Sequence, residues 1–106
     1  MRDAFLKQLE ELHKMLAEMG GLCEDMIDGA YEALINMDRE RAAKILAADA
    51  NVDLKERDIE SKCLKLLLEQ QPVASDLRMI SSTLKMITDL ERIGDQAGDI
   101  AEIVKT

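Results

Sequence analysis

Thr88-Asp89-Leu90-Glu91-Arg92-Ile93-Gly94-Asp95-Gln96-Ala97-Gly98-Asp99 contains nothing that breaks a helix outright. Its charges are oddly placed. On a helix Glu91, Asp95 and Asp99 are spaced i, i+4, i+8 and form one acidic stripe. Like charges at that spacing repel, by about 0.2–0.5 kcal/mol per pair, so stability alone would put a Lys or Arg among them. Upstream the same face is apolar: Leu77, Ile80, Leu84 and Ile87 lead along the helix surface into Glu91. A face that reads as buried therefore turns into carboxylates partway along. Beside it, Leu90, Ile93, Ala97, Ile100 and Val104 make a second apolar stripe. Gly94 and Gly98, at i, i+4, leave room for a neighbouring backbone or a ligand to come close. The pattern predicts one long helix over 74–104.

Working back from this stretch, Gln70-Gln71-Pro72 ends a preceding helix, because proline disfavours a helical residue before it yet is tolerated in a first turn. That preceding helix is predicted over 39–70, with Asp38 as its N-cap. Its seam runs Ala42, Ile45, Asp49, Val52, Glu56, Ile59, Cys63, Leu66, Gln70 in alternating steps of 3 and 4. Two seam members are acidic, and Asp49, Asp53, Glu56 and Glu60 fall along one line, with Lys55, Arg57, Lys62 and Lys65 elsewhere around the helix.

A first helix is predicted over 3–36. Leu9, Leu12, Leu16, Met19, Cys23, Met26, Ala30, Ala33 and Met37 keep the same alternation of 3 and 4 over four heptads. Leu6, Ile27 and Leu34 flank this stripe and widen it enough to meet two partners. Gly20-Gly21 lies inside the helix as a kink or a point of close approach. His13, the only histidine, sits at the edge of the stripe and reads as a core-edge or surface residue. With no reactive Ser or Cys beside it there is no nucleophilic constellation to build.

Three long helices with very short connections pack antiparallel, so the predicted fold is all-α: an up-down-up three-helix bundle with coiled-coil packing of the spectrin kind. The whole of 1–106 reads as one domain. Aromatic residues are only 2% of a chain that is 47% apolar, leaving Leu, Ile, Met and Ala to do the packing, which suits helices.

Composition excludes several functions. A formal charge of -8 is the wrong sign for a general nucleic-acid binder. An acidic surface favours cations or basic protein patches. Cys23 and Cys63 fall at apolar helical positions and read as reduced core residues of an intracellular chain, with no CxxC for thiolate zinc or redox chemistry. The start, Met1-Arg2-Asp3-Ala4-Phe5, lacks a signal peptide's apolar run, and no segment approaches a membrane span. A cytoplasmic protein without membrane insertion is expected.

The hairpin at Pro72 brings residue i to the height of residue 144 - i, which sets Asp53 beside Glu91 and Asp49 beside Asp95. Four carboxylates meeting there repel strongly unless protons or cations neutralise them. All-oxygen sites suit magnesium, manganese, calcium or ferric iron; zinc is less favoured without His or Cys. The competing reading is that both acidic lines are simply solvated. There are no Glu-x-x-His pairs for a di-iron oxygenase. With no Trp and a single Tyr, no sugar cleft for a glycosidase is in view either.

Gln71-Pro72-Val73-Ala74-Ser75-Asp76-Leu77-Arg78 followed by Asp89-Leu90-Glu91-Arg92-Ile93-Gly94-Asp95-Gln96-Ala97 resembles the signature of the PhoU family. The earlier landmarks Phe5…Leu9…Leu12, Ala33-Leu34…Asp38 and Asp49…Asp53…Glu56 fit it too, so the likeness spans essentially the whole chain. The resemblance implies a regulatory accessory protein of bacterial phosphate uptake that restrains import and signalling and catalyses nothing. It implies bundles carrying acid-x-x-x-Asp motifs that hold metal ions such as iron, manganese, magnesium or zinc. Here those motifs match Glu91…Asp95, Asp95…Asp99 and Asp49…Asp53, making Glu91, Asp95, Asp49, Asp53 and Asp99 the candidate ligands, with Asp99 and Glu56 peripheral. It implies as partners the phosphate-sensing histidine kinase and the ATP-binding subunit of the phosphate ABC transporter. The family places two bundles in tandem, and this chain resembles the N-terminal one, so a homodimer imitating the tandem is expected. The alternative is a purely structural helical module, a fragment or appendage of a transporter or regulator, without metal.

Overall fold

In the computed structural model, which describes residues 2–69 and 72–106, three helices follow one another: α1 Arg2–Asn36, α2 Arg39–Glu69 and α3 Ala74–Lys105. Each packs on the other two, in a rod measuring 53 × 18 × 16 Å. The rod's length matches 35 residues at 1.5 Å per residue. Among the described residues there is no strand. The predicted helices agree with the observed ones to within two residues; the expected seam position Gln70 and the signature residue Gln71 lie outside the described residues.

The heptad reading located the core. Leu9, Leu12, Met19, Cys23, Met26, Ala30 and Ala33 of α1 are buried against Ala42, Ile45, Val52, Ile59, Cys63 and Leu66 of α2 and Ile80, Ile87, Ala97 and Val104 of α3. Both cysteines are buried free thiols, and burial raises the pKa of each. His13 is exposed. Lys55 and Lys62 turn toward α1 and pair with Glu18 at 3.0 Å and Glu11 at 2.7 Å. They clamp the α1/α2 groove, leaving the acidic line of α2 facing α3.

Several positions depart from the sequence reading. Leu77, expected on the buried stripe, is 44% exposed, whereas its neighbour Asp76 is the buried residue of that first turn. Ala101 is buried while Ile100 stays partly open. Gly20-Gly21 is not a close approach: α1 continues unbroken through it, and nothing lies within 4 Å of a Cβ built at either position. The close approach on α1 is instead at Gly29, where an added Cβ would collide with the Ile45 side chain.

The two helix junctions differ. Asp38 caps α2 as expected, its Oδ1 accepting the Arg41 N–H at 3.0 Å. Met37 does not extend the α1 seam. It sits beyond the helix end with φ 51 and is 65% exposed. The Met37 N–H donates to the Leu34 carbonyl at 3.4 Å and the Asp38 N–H to the Ala33 carbonyl at 2.9 Å, which is the paired closure of a Schellman end. That position ordinarily belongs to glycine, since a side chain there costs about 1–2 kcal/mol. Met37→Gly should therefore stabilise the fold by about 1 kcal/mol. Urea unfolding checks this: the midpoint should rise with an unchanged slope.

Candidate metal centre

The site is assembled by α2 and α3, whose antiparallel crossing puts Asp49 at the height of Asp95, as the hairpin arithmetic predicts. Gly94 lets the two helices approach. A Cβ built there would already touch Val52 Cγ1 at 3.4 Å and Asp49 Oδ1 at 3.6 Å, so any longer side chain would push α2 away. Gly98 has no such role, with nothing within 4 Å of its added Cβ.

One carboxylate oxygen from each of Asp49, Asp53 and Asp95 lies within 4.8 Å of the other two. Asp49 and Asp53 are half-buried and Asp95 is exposed, so the group forms a shallow acidic notch open to solvent on one side. Glu91, one turn before Asp95, comes within proton-sharing reach of it and feels the charges of Glu56 and Asp53. Glu56 borders the notch between Asp53 and Glu60. Asp99 lies a turn beyond Asp95, outside the close group, and acts on Asp49 only through its charge.

Electrostatics express the crowding. Burial first, then the charges of Asp95 and Asp53, raise the Asp49 pKa above the ordinary carboxylate value. Glu91 is raised by its hydrogen bond with Asp95 and by burial, and Glu56 by burial and by the charges of Glu60 and Asp53. Beneath the notch, the Cys23 thiol donates to the Leu90 carbonyl at 3.2 Å. Asp49's charge joins burial in keeping that thiol protonated.

The oxygen that matters most is Asp49 Oδ1. It is fully shielded from solvent and has no hydrogen-bond partner. Buried carboxylate oxygens are rarely left so, because desolvation without a partner costs about 1–3 kcal/mol or more. A cation among the three carboxylates fits this orphaned acceptor, and the donor set of hard oxygens suits magnesium, manganese, calcium or ferric iron. Asp49, Asp53 and Asp95 are the residues that would hold it, with Glu91 alongside.

Comparison with known proteins agrees with this architecture. A PhoU domain model matches residues 16–104. A phosphate-specific transport system accessory protein PhoU homolog from Clostridium acetobutylicum is 45% identical over 105 residues, covering 98% of this chain and 48% of that protein. A homolog of the same description from Aquifex aeolicus is 43% identical, over 91% of this chain and 43% of its own length. The crystal structure of PhoU from Pseudomonas aeruginosa superposes with a TM-score of 0.93 at 40% identity, over 95% of this chain and 48% of that one. The chain thus spans about half the length of the relatives it matches. Among the described residues no helix is long and apolar enough to cross a membrane. With its three helices, its α2/α3 carboxylate notch and this family match over most of its length, the chain belongs to the PhoU family.

Proposed function

We propose that this chain is a metal-carrying regulatory module of bacterial phosphate uptake, one that restrains import through protein contacts and performs no chemistry of its own. The observation that carries the metal reading is the orphaned, solvent-shielded Asp49 Oδ1 inside a group of three carboxylates. A merely solvated acidic line would leave that oxygen hydrated. Asp49, Asp53 and Asp95 are the inner ligands, Glu91 completes the notch, and Asp99 and Glu56 stand at its rim. The role in phosphate uptake follows from relatives described as phosphate-specific transport system accessory proteins. Residues 1–106 correspond to one of the family's two bundles. The partners of this reading are the phosphate-sensing histidine kinase and the ATP-binding subunit of the transporter, met on the cytoplasmic side. A cation in the notch would neutralise part of the acidic face and hold α2 and α3 in fixed register, giving a partner one rigid surface.

Elemental analysis of protein purified without chelator tests this. Bound iron, manganese or magnesium is expected, and Glu91→Gln with Asp95→Asn should remove it while leaving the helical circular dichroism intact. Undiminished metal in the double variant would refute the ligand assignment, and a metal-free wild-type protein would favour the purely structural module. In cells, expression of the wild-type chain should slow phosphate uptake and the double variant should not.

A further inference from the structure

Ion pairs cross the α1/α2 groove at a regular interval. Glu11 pairs with Lys62 at 2.7 Å, Glu18 with Lys55 at 3.0 Å and Glu32 with Arg41 at 3.0 Å. On α1 these acids fall on a heptad repeat, positions 11, 18, 25 and 32; on α2 the bases fall on the same repeat in reverse, positions 62, 55, 48 and 41. Antiparallel helices of equal rise bring the two sets level, one rung about every two turns. One rung of the ladder is defective. Position 25 keeps its acid, Asp25, but position 48 is alanine. Asp25 is exposed and has no ion-pair partner among the described residues.

The missing base coincides with a missing side chain. Gly21, one turn before Asp25 on the same side of α1, faces open space, with nothing within 4 Å of a Cβ built there. Between the Glu18–Lys55 pair and Asp25 the groove opens into a hollow of about 610 Å³. Half-buried Leu22 and the 55% exposed Leu54 give it an apolar floor, and Asp58, exposed and without an ion pair among the described residues, stands on its α2 side. Glycine inside a helix lowers its stability relative to alanine or leucine. Gly29 and Gly94 are needed where Ile45 and Val52 pack close, whereas no contact within this chain requires a glycine at position 21. Room kept open beside an unpaired carboxylate suits a group that arrives from outside.

The chemistry of the hollow says which group. Three carboxylates, Glu18, Asp25 and Asp58, line it against one cation, Lys55, which is already engaged with Glu18. An anion is repelled there, and a compact, strongly hydrated cation gains nothing from the two leucines. An arginine side chain fits both parts. Its stem lies on Leu22 and Leu54, and its guanidinium fork meets the Asp25 carboxylate, as Arg41 meets Glu32 one rung further on. The formal charge of -8 favours encounter with a basic surface.

We propose that the α1/α2 hollow at Gly21 is the docking site for an arginine of a protein partner, which supplies to Asp25 the base that position 48 lacks. The site lies in a different groove from the α2/α3 carboxylates. It rests on the reading of this chain as a module that acts through protein contacts, and not on the metal.

Binding of the 106-residue chain to the purified ATP-binding subunit and to the detergent-solubilised histidine kinase, followed by biolayer interferometry, tests it. The wild-type chain is expected to bind at least one of them. Ala48→Arg supplies the missing base from within the chain and should weaken that binding about tenfold or more. Gly21→Leu fills the hollow and should weaken it as much, while raising the melting temperature by about 3–6 °C because leucine is the better helix former. Gly20→Ala, outside the hollow, should also raise the melting temperature but leave binding unchanged. Binding that survives both Ala48→Arg and Gly21→Leu overturns the docking site and leaves the protein-contact reading standing. Binding that those variants keep and that Glu91→Gln with Asp95→Asn abolishes moves the contact to the carboxylate notch and overturns it as well. A wild-type chain that binds neither protein overturns the protein-contact reading, and the docking site with it. Calorimetric binding of spermidine that Ala48→Arg abolishes, with protein binding unchanged, gives the hollow to a small amine and overturns the arginine.

Discussion

Asp49→Asn should invert the thermal response to metal. In saturating manganese the wild-type chain is expected to melt about 10–20 °C higher than in EDTA, since ligand at a hundred times its dissociation constant adds about 2.7 kcal/mol, and each kcal/mol moves the midpoint of a domain this size by about 4–8 °C. The variant should lose that gain. In EDTA the order reverses and the variant should melt above wild type. Asp49 faces Asp95 and Asp53 with a buried oxygen that nothing satisfies. An asparagine amide has no charge to repel them and can donate an N–H to either carboxylate. The two curves therefore cross between EDTA and manganese. A purely structural defect at position 49 would lower both curves. A variant that keeps the full manganese shift shows that the ion, if bound, does not use Asp49.

The opposed signs follow from how the site is made, and much of that was legible in the sequence. Seam residues such as Leu12, Val52, Ile59 and Ile87 recur at steps of 3 and 4 because burial between helices demands it, so the core could be read off the chain. Asp49 and Glu56 stood out as acids occupying seam positions. The hairpin at Pro72 then brought Asp49 to the level of Asp95, a consequence of constant helical rise on both arms. What periodicity does not carry is how closely two helices approach and how a helix ends. Gly94 packs on Val52 while Gly98, four residues on, meets nothing, and Gly29 contacts Ile45 while Gly20-Gly21 has open space. Met37 continued the heptad by number, yet the chain had to turn there, and the Schellman closure took precedence over the seam. The flanking residues Ile27 and Leu34 widened α1 as read, but only packing shows that they border an open groove beside α3.

In EDTA the chain should become more stable as the pH falls from 7.5 toward 5, and in manganese the pH dependence should run the other way. Asp49, Glu56 and Glu91 all have folded-state pKa values raised above their ordinary values of 3.8, 4.5 and 4.5. A group with a raised folded pKa contributes stability that is complete below its unfolded value and is lost as pH rises through the folded one. The gain on acidification therefore falls in the window above about pH 4–4.5, where the folded protein takes up protons that the unfolded chain does not yet bind. Glu11 works in the opposite sense, its pKa lowered by its hydrogen bond to Lys62, but it stands alone against three clustered groups. The overall charge points the same way, since the formal -8 at pH 7 vanishes near the isoelectric point of 4.6 and self-repulsion fades with it. Metal reverses the slope because the same carboxylates must be deprotonated to bind it. Each proton displaced costs about a factor of ten in affinity per pH unit below the group's pKa, so the manganese-dependent gain in melting temperature should shrink on acidification and disappear as the notch protonates. Melting curves at several pH values, with EDTA and with manganese, decide the point. A metal-free protein whose stability falls steadily from pH 7.5 to 5 would show that the three acids do not repel one another in the fold, and the case for a cation among them would lose its physical basis.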